Sequence, residues 1–342
     1  MATLALYPFE AGDGFACNLL RAERSTAATR GPVLLVHGAG VSAQIFMPPR
    51  QKTLVDCLLE DGYDVWLENW RASIDFPPNE YTLDHAALYD HPAAVATIVR
   101  ETGATSVKAV IHCQGSTSFM MAAVAGLLPQ VSTIVSNAVS LHPVVSEFSR
   151  FKIRFVLPLL APFTHYLNPQ WGERAPSLFA RIIRTVVNLT HHECDNAVCK
   201  QVSFTYGTGF PALWRHENLS ADTHDWIRQQ FAHVPLTFYR QMRRCLRARH
   251  LVSVLPGGQL PASFVAGPPR TQARIAFFTG RLNQCFLPES QITTYAYFNQ
   301  LRPGFHALHV FDHYSHLDMF FGKDAARDVF PVMLQELNQP VS

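Results

Sequence analysis

Residues 107 to 126 read VKAVIHCQGSTSFMMAAVAG, and they restrict the fold more than any other stretch of the chain. Val107 to Ile111 has the apolar run of a buried strand. A tight turn is expected at His112-Cys113-Gln114-Gly115. Ser116 to Gly126 then has the small and apolar residues of a packed helix. A buried strand feeding a packed helix implies a sheet covered by helices, because parallel strands need crossovers that land on the sheet faces. The turn also carries a cysteine at the start of the helix. A free thiol titrates near 8.5, and a helix N-terminus favours its anion.

The rest of the chain repeats the alternation. Leu4 to Phe9 and Phe15 to Arg21 are strand-like and meet at Ala11-Gly12-Asp13-Gly14, a hairpin signal. Pro32 to His37 is a second continuous apolar run. Leu54 to Leu59 has helical spacing and stops at Gly62. Asp64 to Trp70 reads as the next strand. Pro92 suits the first turn of a helix ending near Gly103. Val131 to Leu141 is another apolar strand. From His142 to about Val254 the strand rhythm stops. Leu255-Pro256-Gly257-Gly258 and Gly267-Pro268-Pro269 then punctuate a linker. The rhythm resumes with strands at Arg274 to Thr279 and Ala307 to Phe311, and a closing helix at Ala325 to Leu337. The expected fold class is α/β: a doubly wound, mostly parallel sheet formed by residues 1–141 and 270–342, with a mainly helical cap and linker inserted at 142–269.

Four positions suggest nucleophilic chemistry. Cys113 is the candidate nucleophile, with a buried structural thiol as the alternative; Ser116 and Ser118 fall inside the helix and suit the role less. Ile111 stands where a small residue is usual before such a turn, so a locally wider turn is expected. His37-Gly38-Ala39-Gly40 follows the first parallel strand, and the N–H groups of Ala39 and Gln114 are placed to receive an oxyanion. His316, after the last strand, is the candidate base. His313 is its competitor, and His112 is expected to point elsewhere. Asn283, in the loop after Arg274 to Thr279, is the candidate orienting residue through its amide oxygen. Glu289, Asp312 and Asp318 remain as alternatives.

This order of nucleophile, orienting residue and histidine resembles the α/β-hydrolase superfamily over nearly the whole chain. The segments VWLENWRAS and IHCQGS are similar to polyhydroxyalkanoate synthases, which carry a Trp-Arg pair and a cysteine at the same turn. The ending YSHLDMFFGKDAARDVFP resembles the His-Leu-Asp stretch of acid-lipase-type hydrolases. Dienelactone hydrolases also use cysteine there. The resemblance implies Cys113 as nucleophile and His316 as base.

Other features are weaker. Gly38, Trp70 and Arg71 follow core strands and are candidates to line a substrate cleft; an Arg71–Asp75 structural pair is the alternative. His191, His192, Cys194 and Cys199 cluster in the cap. Their spacing lacks a second Cys-x-x-Cys or a His pair, so a packed turn is expected, with no metal and no cofactor. Arg240, Arg243, Arg244 and Arg247 share one helix face, solvated or facing an anionic substrate. Phe151 to Leu167 and Leu178 to Val187 are apolar enough to roof an acyl pocket or to be ordinary cap core.

Composition excludes some functions. Net charge is +2, from 28 Lys and Arg against 26 Asp and Glu, so no global field attracts nucleic acid. Charged residues make up 16%, against roughly 25% in typical globular proteins, which leaves apolar surface for a homodimer or a greasy substrate. No stretch reads as a membrane span, and seven cysteines without an export signal suggest a cytoplasmic location. The expected activity is hydrolysis of an ester, lactone or thioester through an acyl-cysteine. The alternatives are acyl transfer to an alcohol, amine or thiol, and a noncatalytic binding protein of the same fold. The partner is a small-molecule acyl substrate, free or thioester-bound on a carrier.

Overall fold

The structure, a computed structural model, describes residues 3–24, 26–207, 212–255 and 258–340. Pro256 and Gly257 of the expected linker turn lie outside the described residues. The main sheet has strands β1 (Leu4–Glu10), β2 (Ala16–Ala22), β3 (Pro32–Val36), β4 (Asp64–Asn69), β5 (Val107–His112), β6 (Val131–Asn137), β7 (Arg274–Gly280) and β8 (Ala307–Phe311). Their order is β1-β2-β4-β3-β5-β6-β7-β8. β1 and β2 form the expected hairpin, and β2 runs antiparallel to β4. All strands from β4 to β8 in that order are parallel.

Sequence pattern explains this placement. β3, β4 and β6 are almost wholly buried, and β5 lies at the centre. Strands covered on both faces carry continuous apolar runs rather than alternation. Among the longer helices, α1 (Leu54–Glu60), α2 (His91–Thr102) and α3 (Cys113–Val124) alternate with these strands. The segment between β6 and β7 carries α4 (Leu178–Thr190), α5 (Ala197–Tyr206) and α6 (Leu236–Ala248), and α7 (Glu289–Leu301) and α8 (Phe330–Asn338) complete the core. Between β6 and β7 the described residues add no strand to the main sheet. A two-residue ladder, Tyr166–Leu167 with Val234–Pro235, is the exception to the helical character of this cap.

Three boundaries differ from expectation. α3 begins at Cys113 itself, so strand passes to helix with no intervening turn residues. β6 ends at Asn137, because Ala138 has a φ of 79° and leaves the extended region. The closing helix is broken into Ala325–Asp328 and α8. Pro331 lacks the N–H that would continue the first piece into the second.

The expected roof is half a roof. In α4, Ala180, Ile183 and Val187 are buried, while Leu178, Ile182, Val186 and Leu189 form an exposed apolar stripe. Phe148, Phe151, Phe155 and Leu159 are likewise exposed, and Ile153 and Leu157 point inward. No helix among the described residues is long and apolar enough to cross a membrane.

Candidate active site

The β5–α3 junction is built by burial on both sides. Cys113 has a φ of 56°. A left-handed backbone at a residue with a Cβ costs on the order of 1–3 kcal/mol. Every residue of α3 and nearly all of β5 is buried, and this packing holds the strain. The expected wider turn is not found. An alanine Cβ at Gly115 would lie 2.2 Å from the His37 carbonyl oxygen, so helix and strand cross at the closest approach a backbone allows. Ile111 fits because it stays in the ladder, between Val36 and Ser136.

Around the sulfur the groups are close. One ring nitrogen each of His112 and His316 and the Cys113 Sγ lie within 4.8 Å of one another. A Cβ at Gly38 would come within 3.3 Å of that sulfur and 2.9 Å of the Cys113 Cβ, so glycine leaves the space in front of the thiol. The neighbouring Cys285 thiol holds Cys113 well below the usual thiol range; burial opposes this, and the nearby His316 and the Gln114 N–H add to it. Cys285 is raised in turn by its neighbour Cys113 and by burial, and its thiol donates to the Tyr206 carbonyl at 3.5 Å.

The donors for an oxyanion are fixed from several sides. The Trp70 indole N–H donates to the His37 carbonyl at 3.1 Å, and the Tyr206 hydroxyl donates to the Ala39 carbonyl at 2.8 Å. The Ala232 N–H donates to the Gly40 carbonyl at 3.0 Å. Gln114 holds the first turn of α3, and its side-chain oxygen accepts from Tyr81 at 3.1 Å. Burial drives the His37 pKa down to about 3, so this ring stays neutral and adds no charge to the loop.

His316 is buried, and neither ring nitrogen makes a hydrogen bond among the described residues. Catalytic hydrogen bonds are often loose without substrate. Asn283 does not supply the expected contact. Its amide oxygen accepts from the Cys285 N–H at 3.0 Å and the Phe286 N–H at 3.1 Å, closing the turn that presents Cys285. Asp318 accepts from Ser315 N, Arg215 N and Asn218 Nδ2, and burial pushes its carboxyl up to about 6. Asp312 pairs with Arg281 on the surface, and Glu289 lies in the first turn of α7. His313 is exposed. His112, expected to point away, lies against His316 with ring centroids 4.6 Å apart and the ring planes tilted by 60°. Its Nδ1 accepts from Asn137 Nδ2 at 2.9 Å, and burial holds its pKa well below the ordinary value.

Trp70 and Arg71 do not line the cleft. Trp70 is fully buried against His37, Tyr81 and His91. Arg71 is clamped by Asp90 and Asp13, and Asp75 instead accepts from Asn69. Breaking a buried pair leaves an uncompensated charge and costs ~3–5 kcal/mol. Arg71→Leu is therefore expected to lower denaturant stability by about that amount. Its folded fraction should keep kcat/KM within twofold or so of wild type; a selective rise in KM would return Arg71 to the cleft.

A cavity with about 30 Å³ of open space adjoins Cys113 beneath the cap. That is room for one or two waters. Val145, Ile153, Phe238, Met242 and Phe286 make it apolar, with Lys152 beside them. Lys152, Tyr206 and Cys285 had no sequence signal as site residues. The Lys152 ammonium, lowered to about 7 by burial, donates to the Phe204, Thr205 and Gly207 carbonyls at the end of α5. That anchors Tyr206, which holds Ala39. Neither helix serine competes with Cys113. Ser116 donates to the Val139 carbonyl, and Ser118 hydrogen-bonds a His91–Glu68 pair that is fully buried.

A family model described as alpha/beta hydrolase fold matches residues 31–188. The parallel strands and the positive φ at Cys113 within this stretch agree with that match.

The chain has the α/β-hydrolase fold.

Solved relatives of this hydrolase fold include an esterase of Pyrococcus furiosus, with a TM-score of 0.56, 10% identity, and coverage of 100% of this chain and 94% of that one. A monoglyceride lipase of Saccharomyces cerevisiae gives a TM-score of 0.57, 13% identity, and coverage of 98% and 95%. By sequence, the chain is 22% identical to a probable lipase of Schizosaccharomyces pombe over 336 residues, covering 88% of this chain and 69% of that protein. It is 30% identical to sterol esterase 2 of Saccharomyces cerevisiae over 135 residues, 33% of this chain and 25% of that protein. Human gastric triacylglycerol lipase is also 30% identical, over 150 residues, with 39% and 37% covered. These last two matches span well under half of the relatives' length.

Proposed function

We propose that this hydrolase-fold protein cleaves carboxylic esters with an apolar acyl group through an acyl-cysteine at Cys113. The carrying observation is the Cys113 sulfur itself, strained at the head of α3 with the Cys285 thiol and His316 beside it and the cap cavity in front. Lipases and esterases among the relatives support ester substrates.

The thiolate attacks the ester carbonyl, and the Ala39 and Gln114 N–H groups receive the oxyanion. Collapse breaks the C–O bond, and protonated His316 gives its proton to the departing alkoxide. Neutral His316 then takes a proton from water as that water attacks the thioester. The second tetrahedral intermediate releases the acid and restores the thiolate. Cys113 and His316 act as a dyad, because a thiol whose surroundings favour its anion needs less help from a carboxylate than a neutral hydroxyl would.

A second cavity of about 240 Å³ adjoins the first, with Ile153 and Tyr239 lining both, and is walled further by Leu157, Ala161, Leu236, Arg240 and Arg243. A shielded thioester also fits transfer to an alcohol, and product analysis in water with added alcohol separates the two readings. An ester product formed in preference to acid, beyond the alcohol's share of the solvent, replaces hydrolysis with transfer.

Cys285 gives a direct test of the thiolate. Removing a donor that stabilises the anion raises the folded-state pKa, so the thiolate is lost at a higher pH than before. Cys285→Ala should shift the pH midpoint for iodoacetamide alkylation of Cys113 upward, read by peptide mass. An unchanged midpoint removes Cys285 from the argument.

A further inference from the structure

We propose that the cap holds a structural zinc ion on Cys194, Cys199, His216 and His224. Sequence spacing pointed to no metal here, because the cluster of His191, His192, Cys194 and Cys199 lacks a second Cys-x-x-Cys or His pair, and His216 and His224 were not part of it. The fold changes the set. His192 Nε2 donates to the Leu189 carbonyl, and His191 meets Thr190, so both leave the cluster. His216, on a short turn at His216–Asn218, and His224, on the short helix Ala221–Trp226, replace them.

The geometry is that of a closed site. One donor atom from each of the four residues lies within 4.8 Å of every other. The Cys199 Sγ is 3.4 Å from His216 Nε2. A tetrahedron with Zn–S near 2.3 Å and Zn–N near 2.0–2.1 Å has donor-to-donor edges of roughly 3.3–3.8 Å. His224 Nε2 is buried and has no hydrogen-bond partner among the described residues, an otherwise costly state that a metal bond relieves. Two thiolates balance the charge of Zn²⁺, and a Cys₂His₂ set leaves no open position, so the ion's role is structural. Asn196 already ties the two segments together, accepting from the Val198 and Cys199 N–H groups and donating to the His224 carbonyl at 2.8 Å.

The site would brace the catalytic groups from two sides. Cys199 lies on α5, whose last residue is Tyr206, the donor to Ala39. The loop leading to His216 includes Leu213, whose carbonyl accepts from the His316 and Leu317 N–H groups, and Arg215, whose N–H binds Asp318.

Metal analysis of the full chain purified from zinc-replete medium without chelator should find one zinc per chain. Cys113→Ser should keep it, which separates this site from adventitious binding at the His112–Cys113–His316 cluster. Cys199→Ser and His224→Gln should lose it. If those variants fail to fold, the wild-type chain carries the test: cobalt(II) exchanged for zinc should show tetrahedral d–d bands with thiolate charge transfer, and chelation should lower the melting temperature until zinc, but not magnesium, is restored. A chain isolated without zinc, zinc lost from Cys113→Ser and kept in Cys199→Ser, or a Cys194–Cys199 disulfide seen by mass overturns the proposal.

Discussion

Cys113→Ala is expected to lower kcat for an activated ester by about 10⁴–10⁶-fold, the scale lost when a nucleophile is removed and the oxyanion donors remain. The intact chain should also stop gaining acyl mass when mixed with that ester. Cys113→Ser tests the electrostatics more finely. A serine hydroxyl must be deprotonated during attack, and no carboxylate among the described residues hydrogen-bonds His316. The serine variant should therefore run about 10²–10⁴-fold below wild type, the value of the missing acid–base assistance. Activity near wild type in Cys113→Ser would mean that a carboxylate reaches His316 once substrate binds. An acyl adduct that persists in Cys113→Ala would move the nucleophile elsewhere.

His316→Ala should lower kcat by about 10²–10⁴-fold, and the two half-reactions should suffer unequally. The thiolate keeps two supports without the imidazole, the Cys285 thiol and the Gln114 N–H. Acylation by an ester with a good leaving group therefore survives in part. Deacylation loses the group that deprotonates water, so an acyl-enzyme should accumulate and be visible by mass within the first turnovers. A loss of less than about tenfold with no accumulation would pass the role to His112, whose ring lies tilted against His316.

Site and fold were legible to different degrees. The parallel strands could be read because burial on both faces writes continuous apolar runs, as in Val33–Val36 and Ile134–Val135. Helix starts were harder. α3 begins at Cys113, three residues earlier than composition suggests, because the positive φ at that residue comes from the packing of strand and helix rather than from local preference. Arg71 stood near the ends of core strands and looked like a ligand-binding residue. Its partners, Asp13 and Asp90, come from distant segments that no spacing links. Asn283 sat in the expected loop, but its oxygen closes a turn and the cysteine two residues on faces the nucleophile.

The sequence by itself determined the alternation of strands and helices, the inserted helical segment and the cysteine at a strand-to-helix turn. These are local properties, carried by periodicity and by residues adjacent in the chain. Only the tertiary structure decided what stands within a few ångströms of that cysteine. Cys285, His316 and Gly38 come from three places remote from the adjacent His112–Cys113 pair, and the Cys194–Cys199 stretch meets His216 and His224 only in the fold. The reason is physical. A thiolate, an oxyanion site or a metal site is set by through-space distance and burial, and those quantities exist only after remote segments have packed.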